Sequence, residues 1–229
     1  MVKILECKKI DIEKRNNILF IRLEPENLSV TIKDIITSFS DMSWISKFDK
    51  PYVSESFSKR AEASAKYLAN KIQKEDSDDI TKDSGEYVVS ELARQALVNQ
   101  LSYLDIPLAE LFKEQISGNP GFDFYSANKE KVIIFGEAKY NSRQNAYGNG
   151  MEQVDRFIQE GQDLSDLNDI DKFFEEQSLD YAVSGKKAYA IAFASKKTSS
   201  EIIINGIVSN THYENIAVHK EVIYIAVNV

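Results

Sequence analysis

Gly121-Phe122-Asp123-Phe124 and, fourteen residues after Asp123, Glu137-Ala138-Lys139 bracket the stretch on which the fold turns. Between them, Lys131-Val132-Ile133-Ile134-Phe135-Gly136 is a short, almost unbroken apolar run rich in β-branched and aromatic residues, which predicts a buried strand. Asn119-Pro120-Gly121 ahead of it and Ala127-Asn128-Lys129-Glu130 inside it are turn residues, so the unit reads as strand, tight turn, strand. Side chains alternate along a strand, which places Glu137 and Lys139 on one face and Ala138 on the other. If the residues around Asp123 pair near Phe135, Asp123 lies opposite or diagonal to Glu137. The pattern leaves the register itself open.

Two carboxylates drawn together in a half-buried place repel, so a positive group must sit between them. Hard oxygen donors suit Mg²⁺ or Mn²⁺. Lys139, on the same face, is placed to hold an attacking water or a phosphoryl oxygen. Together these groups form a site for metal-assisted phosphodiester hydrolysis. The plain alternative is a surface hairpin whose acids and lysine make an ordinary salt bridge.

Outward from the hairpin, the helical phase of residues 84–103 matters most. Ser84 is an N-cap candidate, and Val89, Leu92, Ala93, Ala96, Leu97 and Leu101 fall in one apolar arc. Glu86 lies inside that arc and Glu91 on the polar side. A glutamate heading a core-facing stripe either complements the helix N-terminus or reaches the site beneath. Residues 56–74 form a second amphipathic helix with Ala61, Ala65, Leu68 and Ile72 inward, followed by an acidic loop at 75–79. Asp105-Ile106-Pro107 opens a third, closed by Ser117-Gly118. After the hairpin, 141–150 is an Asn- and Gly-rich loop able to close over substrate, and a helix starts near Met151. Residues 188–194, 201–208 and 222–229 read as strands. At the front, 3–12 and 17–23 are strands and 31–39 a short helix. Helices and strands in this order predict an α/β or α+β fold with a central mixed sheet flanked by helices. The expected division is a β-rich cap or interaction region over 1–55 and a catalytic domain over 56–229, its core at about 84–195.

The chain of 229 residues is 43% hydrophobic and 28% charged, ordinary for a globular protein. A single cysteine, no apolar run of membrane-spanning length and no secretory leader predict a cytoplasmic protein without a membrane partner. One cysteine and two histidines cannot build a usual zinc site, and no Gly-rich phosphate loop or Gly-x-Ser-x-Gly elbow occurs. The net charge is −8, and residues 152–180 account for all of it, with ten acids against two bases. The remaining 26 acids and 26 bases balance, and near the hairpin Lys129, Lys131, Lys139 and Arg143 outnumber Asp123, Glu130 and Glu137. Leu164, Leu167, Ile170, Phe173 and Phe174 give the acidic segment one apolar stripe. Its outward acids, among them Asp166, Asp169 and Glu176, would repel DNA or meet a basic partner.

Asp, apolar strand, Glu-x-Lys resembles the PD-(D/E)xK nuclease superfamily over about residues 84–195, with the proline displaced to Pro120. That resemblance implies a restriction-endonuclease-like core and a Mg²⁺-dependent endonuclease (Mn²⁺ as substitute). DNA is the expected substrate, with RNA left open, and the products are a 5′-phosphate and a 3′-hydroxyl. Asp123 and Glu137 would bind metal, the Ala138 carbonyl and Glu86 would be further ligands, and Lys139 would orient the water. Gln153 resembles a glutamine that several branches carry on the next helix. The wording Gly-Phe-Asp-Phe followed by Phe-Gly-Glu-Ala-Lys-Tyr, with Gly85-Glu86 upstream, is also similar to nuclease subunits of Hachiman-type bacterial antiviral defence, which act beside a helicase. The alternatives are a catalytically silent version of the fold serving as an interaction module, and a stand-alone restriction endonuclease.

Overall fold

The structure is a computed structural model that describes residues 2–12, 15–73, 82–113, 121–196 and 198–229, without the side chains of residues 11, 12, 73, 82 and 83. The expected loop at 75–79, the Ser117-Gly118 helix end and the Asn119-Pro120 turn lie outside the described residues. Six strands form one sheet in the order β1-β2-β6-β5-β4-β3. They are β1 (Val2–Ile12), β2 (Arg15–Pro25), β3 (Phe124–Ala127), β4 (Ile133–Lys139), β5 (Ala188–Ser195) and β6 (Glu221–Asn228). The two edge pairs, β1–β2 and β3–β4, are antiparallel hairpins. The β2–β6, β6–β5 and β5–β4 pairs are parallel, so the sheet is mixed, as expected. All eight residues of β5 are buried and so are six of seven in β4, which requires helices over both faces. The β1–β2 hairpin continues this sheet through β6.

The helices are α1 (Leu28–Phe39), α2 (Pro51–Gln73), α3 (Lys82–Leu101), α4 (Ala109–Phe112), α5 (Tyr147–Glu160), α6 (Gln162–Ile170), α7 (Glu176–Val183), α8 (Ser200–Val208) and α9 (Tyr213–Ala217). In α2, Ala61, Ala65, Leu68 and Ile72 are all buried, the face their spacing predicts. Trp44 joins Phe48, Phe57 and Phe173 in one aromatic cluster, with ring centroids 5.6 Å apart for Trp44–Phe57 and 5.8 Å for Trp44–Phe173. That cluster ties the segment before α2, and Phe57 of α2 itself, to the turn at Asp171–Phe173 after α6.

Several elements differ from expectation for identifiable reasons. Residues 201–208 form helix α8, not a strand. Ser199 caps it by accepting from the Ile202 N–H, and Ile203 and Ile207 bury one face while Ile202 stays exposed. A β-branched run alone did not distinguish the two. Ser84 lies inside α3, which is already helical at Lys82. α4 begins at Ala109, two residues past Pro107; before it, the Leu104 N–H donates to the Ala127 carbonyl of β3 and Asp105 pairs with Arg94. α5 begins at Tyr147, which shortens the loop after the hairpin to 141–146. Leu164, expected in the apolar stripe, is exposed.

The acidic segment departs most. Asp163 and Asp166, one turn apart on α6, point into the protein and are almost fully buried. Asp166 accepts from the Phe122 N–H at 3.0 Å and from the Tyr125 hydroxyl, and pairs with Lys113 at 2.9 Å. Asp163 accepts from the Tyr189 hydroxyl and pairs with Lys187 at 2.6 Å. Each carboxylate thus fastens α6 to a tyrosine of a strand, β3 in one case and β5 in the other. Buried charges are tolerated when paired and hydrogen-bonded in this way. Asp155 on α5 is likewise buried, against His212 and Asn215. Part of the acidity read as an outer docking face is therefore internal.

Candidate active site

The hairpin forms as its pattern predicts. Asn128 makes the turn: its side-chain oxygen accepts from the Glu130 and Val132 N–H groups at 3.0 and 3.1 Å, holding Lys131 in the left-handed region at φ 62. Phe124 pairs with Gly136, and the Asp123 N–H donates to the Gly136 carbonyl at 2.9 Å, so Asp123 stands opposite Glu137. The Phe124 ring lies where a side chain at residue 136 would go, which is why this position is glycine. The Ala138 N–H donates to Asp123 Oδ2 at 2.7 Å. In an extended strand the N–H and C=O of one residue point to the same edge, so the Ala138 carbonyl faces the Asp123 side as well.

Glu137 is only 1% exposed. Its Oε1 pairs with Lys139 Nζ at 2.8 Å, and its Oε2 is buried with no hydrogen-bond partner among the described residues. Glu86 approaches from α3, placing its Oε1 3.6 Å from Lys139 Nζ while its side chain stays 41% exposed. Gly85 lets α3 come this near, because any side chain there would run into the Tyr140 ring next to Lys139. The four residues singled out for their side chains therefore converge: Glu86, Asp123, Glu137 and Lys139. The hairpin that carries Asp123, Glu137 and Lys139 is buried, unlike the surface hairpin of the plain alternative.

Glu110 is a fifth member that the sequence did not disclose. It sits on α4, which docks through a hydrogen bond from the Ala109 N–H to the Asp123 carbonyl at 3.0 Å. Its Oε2 is buried without a hydrogen-bond partner. Nothing in one turn of helix at 109–112 marks that glutamate; only the docking does.

The electrostatics follow from four carboxylates facing Lys139, with Lys113 a weaker influence on Asp123 and Glu110. Burial, partly offset by Lys139 and the Ala138 N–H, pushes Asp123 up to about 6. Burial and the Asp123 charge push Glu110 up to about 8 and Glu137 well above the usual carboxylate range. Burial, then Glu110, raises the Tyr87 hydroxyl to about 12. Burial disfavours the Lys139 charge, but Glu137, Asp123 and Glu86 outweigh it and the pKa rises. The lysines expected to give this region a positive excess are elsewhere. Lys129 and Lys131 lie at the turn, about 20 Å away along β4, and Lys131 pairs with Glu175. The site itself is acidic. Among the described residues no three His, Cys, Asp or Glu side chains are gathered closely enough to hold a metal ion as they stand. The oxygens that could turn towards one are those of Asp123, Glu137, Glu86 and Glu110.

No family model, curated protein or solved structure matched this chain. The site is therefore argued from its own geometry. Gln153, half-buried, lies on α5, and the start of that helix abuts Ile191 and Lys139 at Gly150.

Glu91 corrects the helical phase. It is buried, not on a polar face, and takes two guanidinium hydrogen bonds from Arg94 at 2.8 Å each, with Ser38 and Gln95 on the same carboxylate. Glu91→Gln is expected to lower the denaturation midpoint by about 2–4 kcal/mol equivalent and to leave Mn²⁺ affinity unchanged. Glu86→Gln should do the reverse, weakening Mn²⁺ binding with little effect on melting. Calorimetric titration and urea denaturation of both variants separate the two roles.

Proposed function

We propose that this protein is a metal-dependent nuclease hydrolysing phosphodiester bonds, DNA being the expected substrate. The observation that carries it is the buried Glu137 carboxylate, one oxygen on Lys139 and the other without a partner, opposite Asp123 in a hairpin covered on both faces. Leaving a buried carboxylate oxygen unsatisfied costs about 1–3 kcal/mol, a cost that a bound cation removes. A divalent ion fits this donor set: Asp123 and Glu137 would hold it, with the Ala138 carbonyl and Glu86 beside them and Glu110 within the same acidic enclosure. When bound, Mg²⁺ or Mn²⁺ supplies Lewis acidity and lowers the pKa of a coordinated water.

The chain's own groups do the rest. The Ala138 N–H fixes the Asp123 carboxylate and so keeps it opposite Glu137. Lys139, charged across the whole working pH range, holds the attacking water or balances charge on a phosphoryl oxygen. Glu86 sits at the exposed side of Lys139, where a backbone phosphate would approach. The arrangement of like charges persists because the hairpin and α3 hold their acids from separate elements, with α4 docked on the Asp123 carbonyl. The Asp, strand, Glu-x-Lys order supports placing it with the PD-(D/E)xK nucleases. Among the described residues no helix is long and apolar enough to cross a membrane, which is compatible with the cytoplasmic location we favour.

Circular and linear DNA incubated with the purified chain, with Mg²⁺ or with chelator, tests the proposal. Cleavage only with the metal is expected; equal cleavage in chelator, or none under any condition with DNA or RNA, would contradict it. A helicase-like partner in antiviral defence belongs to the same proposal and rests on the acids that do remain exposed, such as Glu160, Glu176 and Asp180. Reversing these three to lysine should reduce co-purification of that partner and strengthen salt-sensitive DNA binding by the isolated chain.

A further inference from the structure

One cavity lies away from the carboxylates. A cleft of about 720 Å³ opens at the opposite end of the sheet, where β2 and β6 begin and the β3–β4 turn closes. Its lining divides by chemistry. Leu19, Leu101 and the Tyr103 ring give it an apolar floor, and Lys9, Lys129 and Lys220 bring ammonium groups from β1, the β3–β4 turn and the connection into β6. Two acids also line the cleft. Glu221 accepts from the Tyr103 hydroxyl at 2.7 Å and from the Asn128 amide at 2.9 Å, while Glu130 stands 3.5 Å from Lys220. Lys9 and Lys129 are exposed and make no ion pair among the described residues. The amides of Asn16 and Gln100 also line the cleft. An apolar floor with a cationic rim, in a volume within the range of small-molecule sites, suits a flat ring bearing phosphate. Lysine is a point-charge phosphate binder that needs no fixed fork geometry.

We infer that this cleft binds a phosphate-bearing ligand of nucleotide size, its ring against Leu19, Leu101 and Tyr103 and its phosphates between Lys9 and Lys129. The source is a free nucleotide or the terminal nucleotide of a strand. The site lies about 20 Å along β4 from Glu137 and does not depend on any chemistry there.

The test uses the full chain carrying Glu137→Gln, in chelator, so that neither metal nor cleavage contributes. ATP, inorganic pyrophosphate and a short 5′-phosphorylated single-stranded DNA are titrated, with and without Lys9→Glu or Lys129→Glu. Both lysines are exposed, so the melting temperature should not change, and urea midpoints check this. The expected result is saturable binding of ATP or of the oligonucleotide, weakened at least about tenfold by either reversal, with pyrophosphate binding more weakly. ATP alone binding assigns a free nucleotide; the oligonucleotide alone binding assigns a strand end. No binding up to millimolar ligand, binding indifferent to both reversals, or pyrophosphate binding as tightly as ATP would overturn the inference.

Discussion

Glu137→Gln is expected to reduce Mg²⁺-dependent cleavage by about a thousandfold, the equivalent of roughly 4 kcal/mol of transition-state stabilisation, and to make the protein more stable at the same time. The two effects share a cause. Burial and the Asp123 charge raise the Glu137 pKa in the fold, so ionisation disfavours the folded state. A carboxyl group whose pKa is higher folded than unfolded costs nothing below its unfolded value. The cost grows as pH rises through the window up to its folded value. For Asp123 that window runs from 3.8 to about 6, and for Glu110 from 4.5 to about 8. In chelator, Glu137→Gln and Glu110→Gln should therefore each raise the melting temperature at pH 8 by roughly 3–6 °C, about 1–2 kcal/mol, with the gain vanishing near pH 4. An ordinary structural salt bridge would behave oppositely, losing stability when its acid is removed. Melting curves of wild type and variants at pH 4, 6 and 8 decide between them.

Asp166→Lys should unfold the protein. The carboxylate it removes is 2% exposed and receives the Phe122 N–H, the Tyr125 hydroxyl and Lys113. Taking away one member of a buried pair costs about 3–5 kcal/mol because its partners stay buried and unsatisfied. A second buried ammonium beside Lys113 adds repulsion, against a total stability of about 5–15 kcal/mol for a domain of this kind. Asp166→Asn, which keeps the shape, should fold with a urea midpoint lowered by about 3 kcal/mol equivalent. Asp180→Lys, on the exposed side of α7, should stay within about 0.5 kcal/mol of wild type. A folded, fully stable Asp166→Lys would show that α6 is not fastened through this carboxylate.

These contrasts mark what the sequence could disclose. The hairpin was legible because strand period, β-branched content and Asn128 all agree, and Gly136 leaves room for the Phe124 ring of the paired strand. Glu137 and Lys139 followed from alternation alone. Glu86 followed from helical phase, helped by Gly85, whose reason is the Tyr140 ring. Helical phase failed for Glu91 because a buried Arg94–Glu91 pair looks polar in sequence while behaving as core. It failed again for Asp163 and Asp166, whose partners Tyr125, Tyr189, Lys113 and Lys187 come from other elements. Glu110 had no local signal, since α4 is positioned by the Asp123 carbonyl and not by its own propensity. The Ile-rich run of α8 was ambiguous between periods until Ser199 capped it. Contacts between elements decide Asp163, Asp166 and Glu110, which no short window encodes, whereas the Glu91–Arg94 pair and the Ser199 cap are local.

Calorimetric titration of the 229-residue chain with Mn²⁺, beside Asp123→Asn and Glu137→Gln, addresses the central claim most directly. The carboxylates must lose their protons to bind, so wild-type affinity should rise from pH 5.5 to pH 8 with proton release, as Asp123 passes its folded value of about 6. Both variants should lose the heat of binding while melting at or above the wild-type temperature. Equal Mn²⁺ binding by all three proteins, or none by the wild type at pH 8, would contradict a metal site at Asp123 and Glu137.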